Sequence, residues 1–129
     1  MQQPRSSVTD AELGVLKVLW GRGAATIREI TDVLYPGGVA SAYSTVQKLL
    51  ERLEGKSCVE RESSGRVHIF RASVERDDLI AHRLRETADK LCEGSLTPLL
   101  TQLVNSKKLS DAELDELRRL VRRTPRRGS

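Results

Sequence analysis

Apolar residues recur at three- and four-residue spacing in three successive sets: Leu13, Leu16, Leu19 and Trp20, then Ile27, Ile30, Val33 and Leu34, then Val46, Leu49, Leu50 and Leu53. Each set lies on one face of a helix. The first two helices open at Thr9/Glu12 and Thr26/Glu29, the hydroxyl-to-carboxylate spacing of a capping box. They are stopped by Gly21 and Gly23 and by Pro36-Gly37-Gly38. The third runs from Ala42 to Leu53. Strand propensity then takes over in Cys58 to Glu62 and Val67 to Arg71, around Ser63-Ser64-Gly65-Arg66, with Gly65 at a left-handed turn position. Three helices followed by a hairpin predict a winged helix over residues 1–72.

From Val74 the helical period returns and strand chemistry does not. Leu79, Ile80, Leu84, Ala88 and Leu91 line one helix, Gly94-Ser95 breaks it, and Pro98 opens a second apolar stretch through Leu99 and Leu103 to Val104. Ser110/Glu113 is a third capping box. The helix it opens turns Leu114, Leu117, Leu120 and Val121 inward, and Arg118, Arg119, Arg122 and Arg123 outward near the end where the dipole favours cations. The fold class is therefore mainly α with a small β-hairpin wing: a winged helix-turn-helix, a helical domain over residues 73–124 and a disordered tail, 125–129. Roughly fifty residues in three helices make a poor core alone, so burial against a second copy is the economical solution. A homodimer is expected through Leu79, Leu84, Leu91, Leu99, Leu103, Leu114, Leu117, Leu120 and Val121.

The third helix carries the chemistry. Opposite its apolar back, Ala42, Tyr43, Ser44, Thr45, Gln47, Lys48 and Arg52 offer hydroxyls, an amide and cations, a front that suits the major groove of double-stranded DNA. Gln47 has the two-point amide that reads adenine, while Lys48 and Arg52 suit phosphate or guanine. Ser44 and Thr45 sit at the expected helix start, where a hydroxyl serves either a phosphate or the cap. Tyr43 either touches backbone or a thymine methyl, or packs its ring. Arg66 at the wing tip reads as a phosphate or minor-groove contact, or as a solvated surface arginine. A two-fold dimer would let two such units read a palindrome.

Composition narrows this without deciding it. The net charge of +4 and pI of about 9.4 permit a nucleic-acid partner without demanding one. Residues 1–72 hold 10 Lys+Arg against 8 Asp+Glu, and the remainder 12 against 10, so neither half is a polyelectrolyte tail. No leader pattern or membrane-length apolar run occurs, which predicts a cytoplasmic protein without membrane insertion. Cys58 reads as a small buried hydrophobe on the first wing strand, and Cys92 as a residue of the seam or surface, with a disulfide across a two-fold axis as the lesser alternative. His68 and His82 lack companions at ligand spacing. With no phosphate loop, ligand cluster or nucleophile signature, no metal, cofactor or catalytic residue is expected, and the chain does not read as an enzyme.

Two rivals come from other classes. A winged helix can be a protein-protein adaptor, but such a groove would show Leu, Met or aromatic anchors rather than the polar, net cationic front found here. A single-strand binder needs a stacking platform, and four aromatic residues, with Trp20 assigned to the core, do not make one.

The order of Thr9-Asp10-Ala11-Glu12-Leu13 with Val18-Leu19-Trp20, then Thr45-Val46-Gln47-Lys48-Leu49-Leu50-Glu51-Arg52-Leu53, then Leu109-Ser110-Asp111-Ala112-Glu113-Leu114 resembles the penicillinase-repressor family of bacterial transcriptional regulators. The resemblance implies a winged-helix domain, a helical dimerisation domain, binding to operator palindromes including the chain's own promoter, and derepression through cleavage triggered by a membrane-bound metalloprotease receptor system. In the β-lactam branch the cleaved bond is Asn-Phe, and the aligned pair here is Gln102-Leu103. After the third helix the family usually has Lys-Gly and a large apolar residue, where this chain has Lys56-Ser57-Cys58. The paired Cys-x-Cys motifs of the copper branch do not occur after Cys92, which argues against metal sensing by that chemistry.

Overall fold

The computed structural model describes residues 8–106 and 109–123; the fraying expected of residues 1–7 and of the tail 125–129 lies outside them. Helix α1 (Asp10–Arg22) opens on the predicted box, with the Glu12 N–H donating to Thr9 Oγ1 at 3.2 Å and the Thr9 N–H to Glu12 Oε1 at 2.9 Å. Gly21 stays inside the helix. Gly23 alone ends it, at φ +89°, with its N–H on the Leu19 carbonyl. Helix α2 (Ile27–Leu34) opens on the Thr26/Glu29 box at 3.1 and 2.9 Å. Ile30 is buried, but Val33, expected inward, is half exposed; Thr31 takes the inner place because its hydroxyl is satisfied by the Ile27 carbonyl at 2.7 Å.

Helix α3 (Ala40–Gly55) begins two residues before the expected Ala42. Gly37 (φ +69°) and a Gly38 N–H bond to the Tyr35 carbonyl turn the chain early, and Val39 becomes the N-cap. Val46, Leu49, Leu50 and Leu53 form the buried back, as their spacing requires. At the far end the Ser57 N–H bonds the Glu54 carbonyl and the Cys58 N–H bonds the Leu53 carbonyl, a Schellman closure whose left-handed position is filled by Ser57 at φ +62°.

Strands β1 (Val59–Ser64) and β2 (Val67–Ala72) pair antiparallel from Val59↔Ala72 to Ser64↔Val67. Only Gly65 and Arg66 remain in the turn, tighter than the four-residue connection the sequence suggests, because Gly65 at φ +71° lets Ser63 join the ladder opposite His68. Cys58 precedes β1 and is fully buried. Ala25, between α1 and α2, exchanges two backbone hydrogen bonds with Phe70, so the wing is sewn to the helices.

The chain divides into two compact units at Arg83/Leu84, inside α4 (Arg76–Leu91). Val74 and Leu79 lie in the first unit's core, the Trp20 indole donates to the Val74 carbonyl at 2.8 Å, and Arg83 donates to the Val8 carbonyl at 2.6 Å. Leu79, 4% exposed, is thus spent within its own chain and drops out of the expected dimer face. In the second unit, the end of α4 is followed by α5 (Thr97–Asn105) and α6 (Asp111–Arg123), the latter opened by the Ser110/Glu113 box at 3.0 and 3.1 Å. Neither α5 nor α6 buries a residue; Leu84, Leu91, Leu103, Leu120 and Val121 are exposed, and Leu99, Leu114 and Leu117 half-buried. Gln102 and Leu103 lie on the exposed surface of α5.

Candidate nucleic-acid interface

The buried back of α3 fixes its front. Ser44, Thr45, Gln47, Lys48, Glu51 and Arg52 are exposed, and Ala42 and Tyr43 half-buried. Since the helix begins at Ala40, Ser44 and Thr45 lie in its second turn and neither caps it; Val39 makes no side-chain cap bond, and the Thr45 hydroxyl donates to the Ser41 carbonyl at 3.0 Å. Ser44 and Gln47 remain as neutral groups directed outward.

The wing sorts the cations. Arg61 makes two hydrogen bonds to Glu54, at 3.2 and 2.7 Å, with its guanidinium over the Phe70 ring, and Arg71 pairs with Glu62 at 2.9 Å. Among the described residues, no carboxylate forms an ion pair with Lys48, Arg52 or Arg66. The Arg61 pair ties the hairpin to α3 and the Arg71 pair joins its two strands, while Lys48, Arg52 and Arg66 stay outside these ion pairs.

Between α2, the start of α3 and the wing tip lies an open cleft of about 900 Å³. Tyr43, Ser44 and Arg66, assigned from sequence, line it. So do Arg28, Asp32 and His68, which the sequence reading gave no contact role. The Arg28 guanidinium lies over the Tyr43 ring, 5.4 Å from its centroid, so that ring serves as a support. His68 Nδ1 meets the Ser63 hydroxyl at 2.8 Å across the hairpin. The available signal for Arg28 was its place two residues after the Thr26 cap, on the outward side of the first helix of a helix-turn-helix. Among the described residues, no group of three or more His, Cys, Asp or Glu could hold a metal ion, and no helix is long and apolar enough to cross a membrane.

A capped helix pair, a third helix with polar front and apolar back, and a two-stranded wing define a winged helix of the DNA-binding kind. The profile of the penicillinase repressor family matches residues 8–123, and the chain belongs to that family, one of transcriptional repressors and not of enzymes. It is 25% identical over 114 residues to the penicillinase repressor of Bacillus licheniformis, covering 88% of each chain. It is 22% identical over 121 residues to that of Staphylococcus aureus, covering 94% of this chain and 95% of the relative. The methicillin resistance regulatory protein MecI of Staphylococcus aureus N315 matches at 22% identity over 94% of this chain and 98% of its own. Among solved structures, the DNA-binding domain of the repressor BlaI aligns with a TM-score of 0.51 and 27% identity, covering 60% of this chain and 93% of that domain.

Proposed function

We propose that the chain represses transcription as a homodimer on palindromic operators, its own promoter among them, with α3 in the major groove and the wing at the flanking backbone and minor groove. The observation that carries this reading is the outward face of α3, where Gln47, Lys48 and Arg52 stand exposed and, among the described residues, neither cation has an ion pair. An amide that can pair with a base edge, beside cations free for phosphate, is the combination that specific readers use. The second unit supports the dimer: its helices leave Leu84, Leu91, Leu103, Leu120 and Val121 in water, which a two-fold partner would cover. Relief by cleavage at Gln102–Leu103 belongs to the same reading, since α5 is nine residues long and buries none of them in its own chain, so little opposes its local opening.

The test is selection of duplexes from a random pool at near-physiological salt. A two-fold palindrome with half-sites about one helical turn apart is the expected enrichment. Binding that enriches no sequence and fades uniformly with salt overturns the specific reader and favours the adaptor.

A further inference from the structure

Arg28 is placed where its own helix does not favour it. A cation in the first turn of α2 opposes the helix dipole, and no carboxylate pairs with it among the described residues. Its guanidinium instead lies over Tyr43, on the wall of the cleft between α2, α3 and the wing. A cation–ring contact of this kind holds the guanidinium without using its N–H groups, which stay available as a fork suited to phosphate oxygens. Ser44, Arg66 and His68 add a hydroxyl, a second guanidinium and an imidazole to the same lining, and Asp32 is the carboxylate within it.

Groove geometry says what such a cleft would hold. The major and minor grooves of a duplex are separated by a sugar-phosphate strand, so a protein with a helix in one and a hairpin reaching the next must straddle that strand. The space between α3 and the wing is this cleft. We propose that it seats the phosphodiester strand dividing the two grooves and that Arg28, on the α2 wall, holds a phosphate of that strand, with Tyr43 as its positioning residue. This rests on the reading of α3 as a major-groove helix.

The full-length protein and its selected duplex supply the test. Arg28→Ala, an exposed position whose loss leaves the core intact, weakens binding on the order of tenfold, the worth of one charge-assisted contact. It reduces the log-log salt slope by about one and leaves the preferred sequence unchanged. Arg28→Lys retains the slope. Tyr43→Leu gives a smaller loss that adds little to Arg28→Ala. Phosphate ethylation supplies a readout that a structural role would not move: one phosphate per half-site, between the base pairs under α3 and the flanking minor groove, blocks the wild type when ethylated and is silent for Arg28→Ala. If the wild type selects a palindrome and Arg28→Ala matches it in affinity, slope and ethylation pattern, the cleft assignment falls and the DNA reading stands. A changed base preference makes Arg28 a base reader and overturns the phosphate role. A wild type that selects no duplex removes both proposals.

Discussion

One oxygen of Glu12 accepts two hydrogen bonds, from the Thr9 backbone N–H at 2.9 Å and from the Lys56 ammonium at 2.6 Å, so a single atom ties the first turn of α1 to the C-cap of α3. Glu12 is 1% exposed. Burial alone would raise its pKa, but the hydrogen bonds from Lys56 and Thr9, with the charge of Lys56, outweigh it and hold the carboxyl below its ordinary value. Helix α3, proposed above as the DNA-contacting helix, is thereby anchored at the end away from the cleft.

A carboxyl whose pKa falls on folding contributes stability above its unfolded pKa, and that contribution is lost as pH drops through the folded value. Lys56→Met strands the buried carboxylate and costs about 1–3 kcal/mol near neutral pH. In acid the wild type loses its ion pair while the variant is relieved of an unpaired charge, so the difference narrows. Urea melts of both proteins at neutral and acid pH check this; a gap that stays constant would show that the pair is not its source.

Ser57 occupies a left-handed backbone position, φ +62°, where the Schellman closure of α3 favours glycine. Ser57→Gly removes side-chain strain of about 1–2 kcal/mol and returns about 0.4–1 kcal/mol of it as unfolded-chain entropy. A net gain of about 0.5–1 kcal/mol is expected, with DNA affinity unchanged because the turn lies at the other end of α3 from the cleft. Thermal and urea melts read the gain, and a loss would mean that the strained turn is compensated elsewhere.

The winged-helix elements were legible because local rules and packing agree in them. Both capping boxes of the unit, Thr9/Glu12 and Thr26/Glu29, form, and Val46, Leu49, Leu50 and Leu53 are buried at the spacing that marks them. The start of α3 was misread because Gly37-Gly38 turns the chain without a polar cap, a conformational signal that hydrophobic periodicity does not carry. Leu79 was misassigned because periodicity tells which face of α4 is apolar and not what covers it; its first turns belong to the winged unit. Arg28 was missed because its neighbours in space, Tyr43 and Arg66, lie fifteen or more residues away in sequence and meet it only through the cleft.

Gln47 and Lys48 are adjacent and exposed but carry different chemistry, so their losses should differ in kind. Gln47→Ala costs roughly 1–3 kcal/mol on the selected duplex and relaxes the choice of one base. Lys48→Ala weakens binding to all duplexes alike and flattens the salt slope by about one. Titrations on the selected site and on single-base variants, each at several salt concentrations, separate the two. If both variants bind like the wild type, the front of α3 is not the contact face.

Val121 tests the dimer most cleanly because it is 69% exposed in one chain, so a charge there stays in water within its own unit. Val121→Asp leaves the fold and its melting of the first unit unchanged, but in a two-fold seam it places two unpaired carboxylates in apolar surroundings. Sedimentation at low protein concentration should then show monomers. Operator affinity should fall by about a hundredfold or more, since the second half-site no longer gains from tethering, while single half-site binding persists. Variants that still sediment as dimers would move the seam off this face of α6, leaving Leu84, Leu91 and Leu103 as the apolar surface a partner could cover.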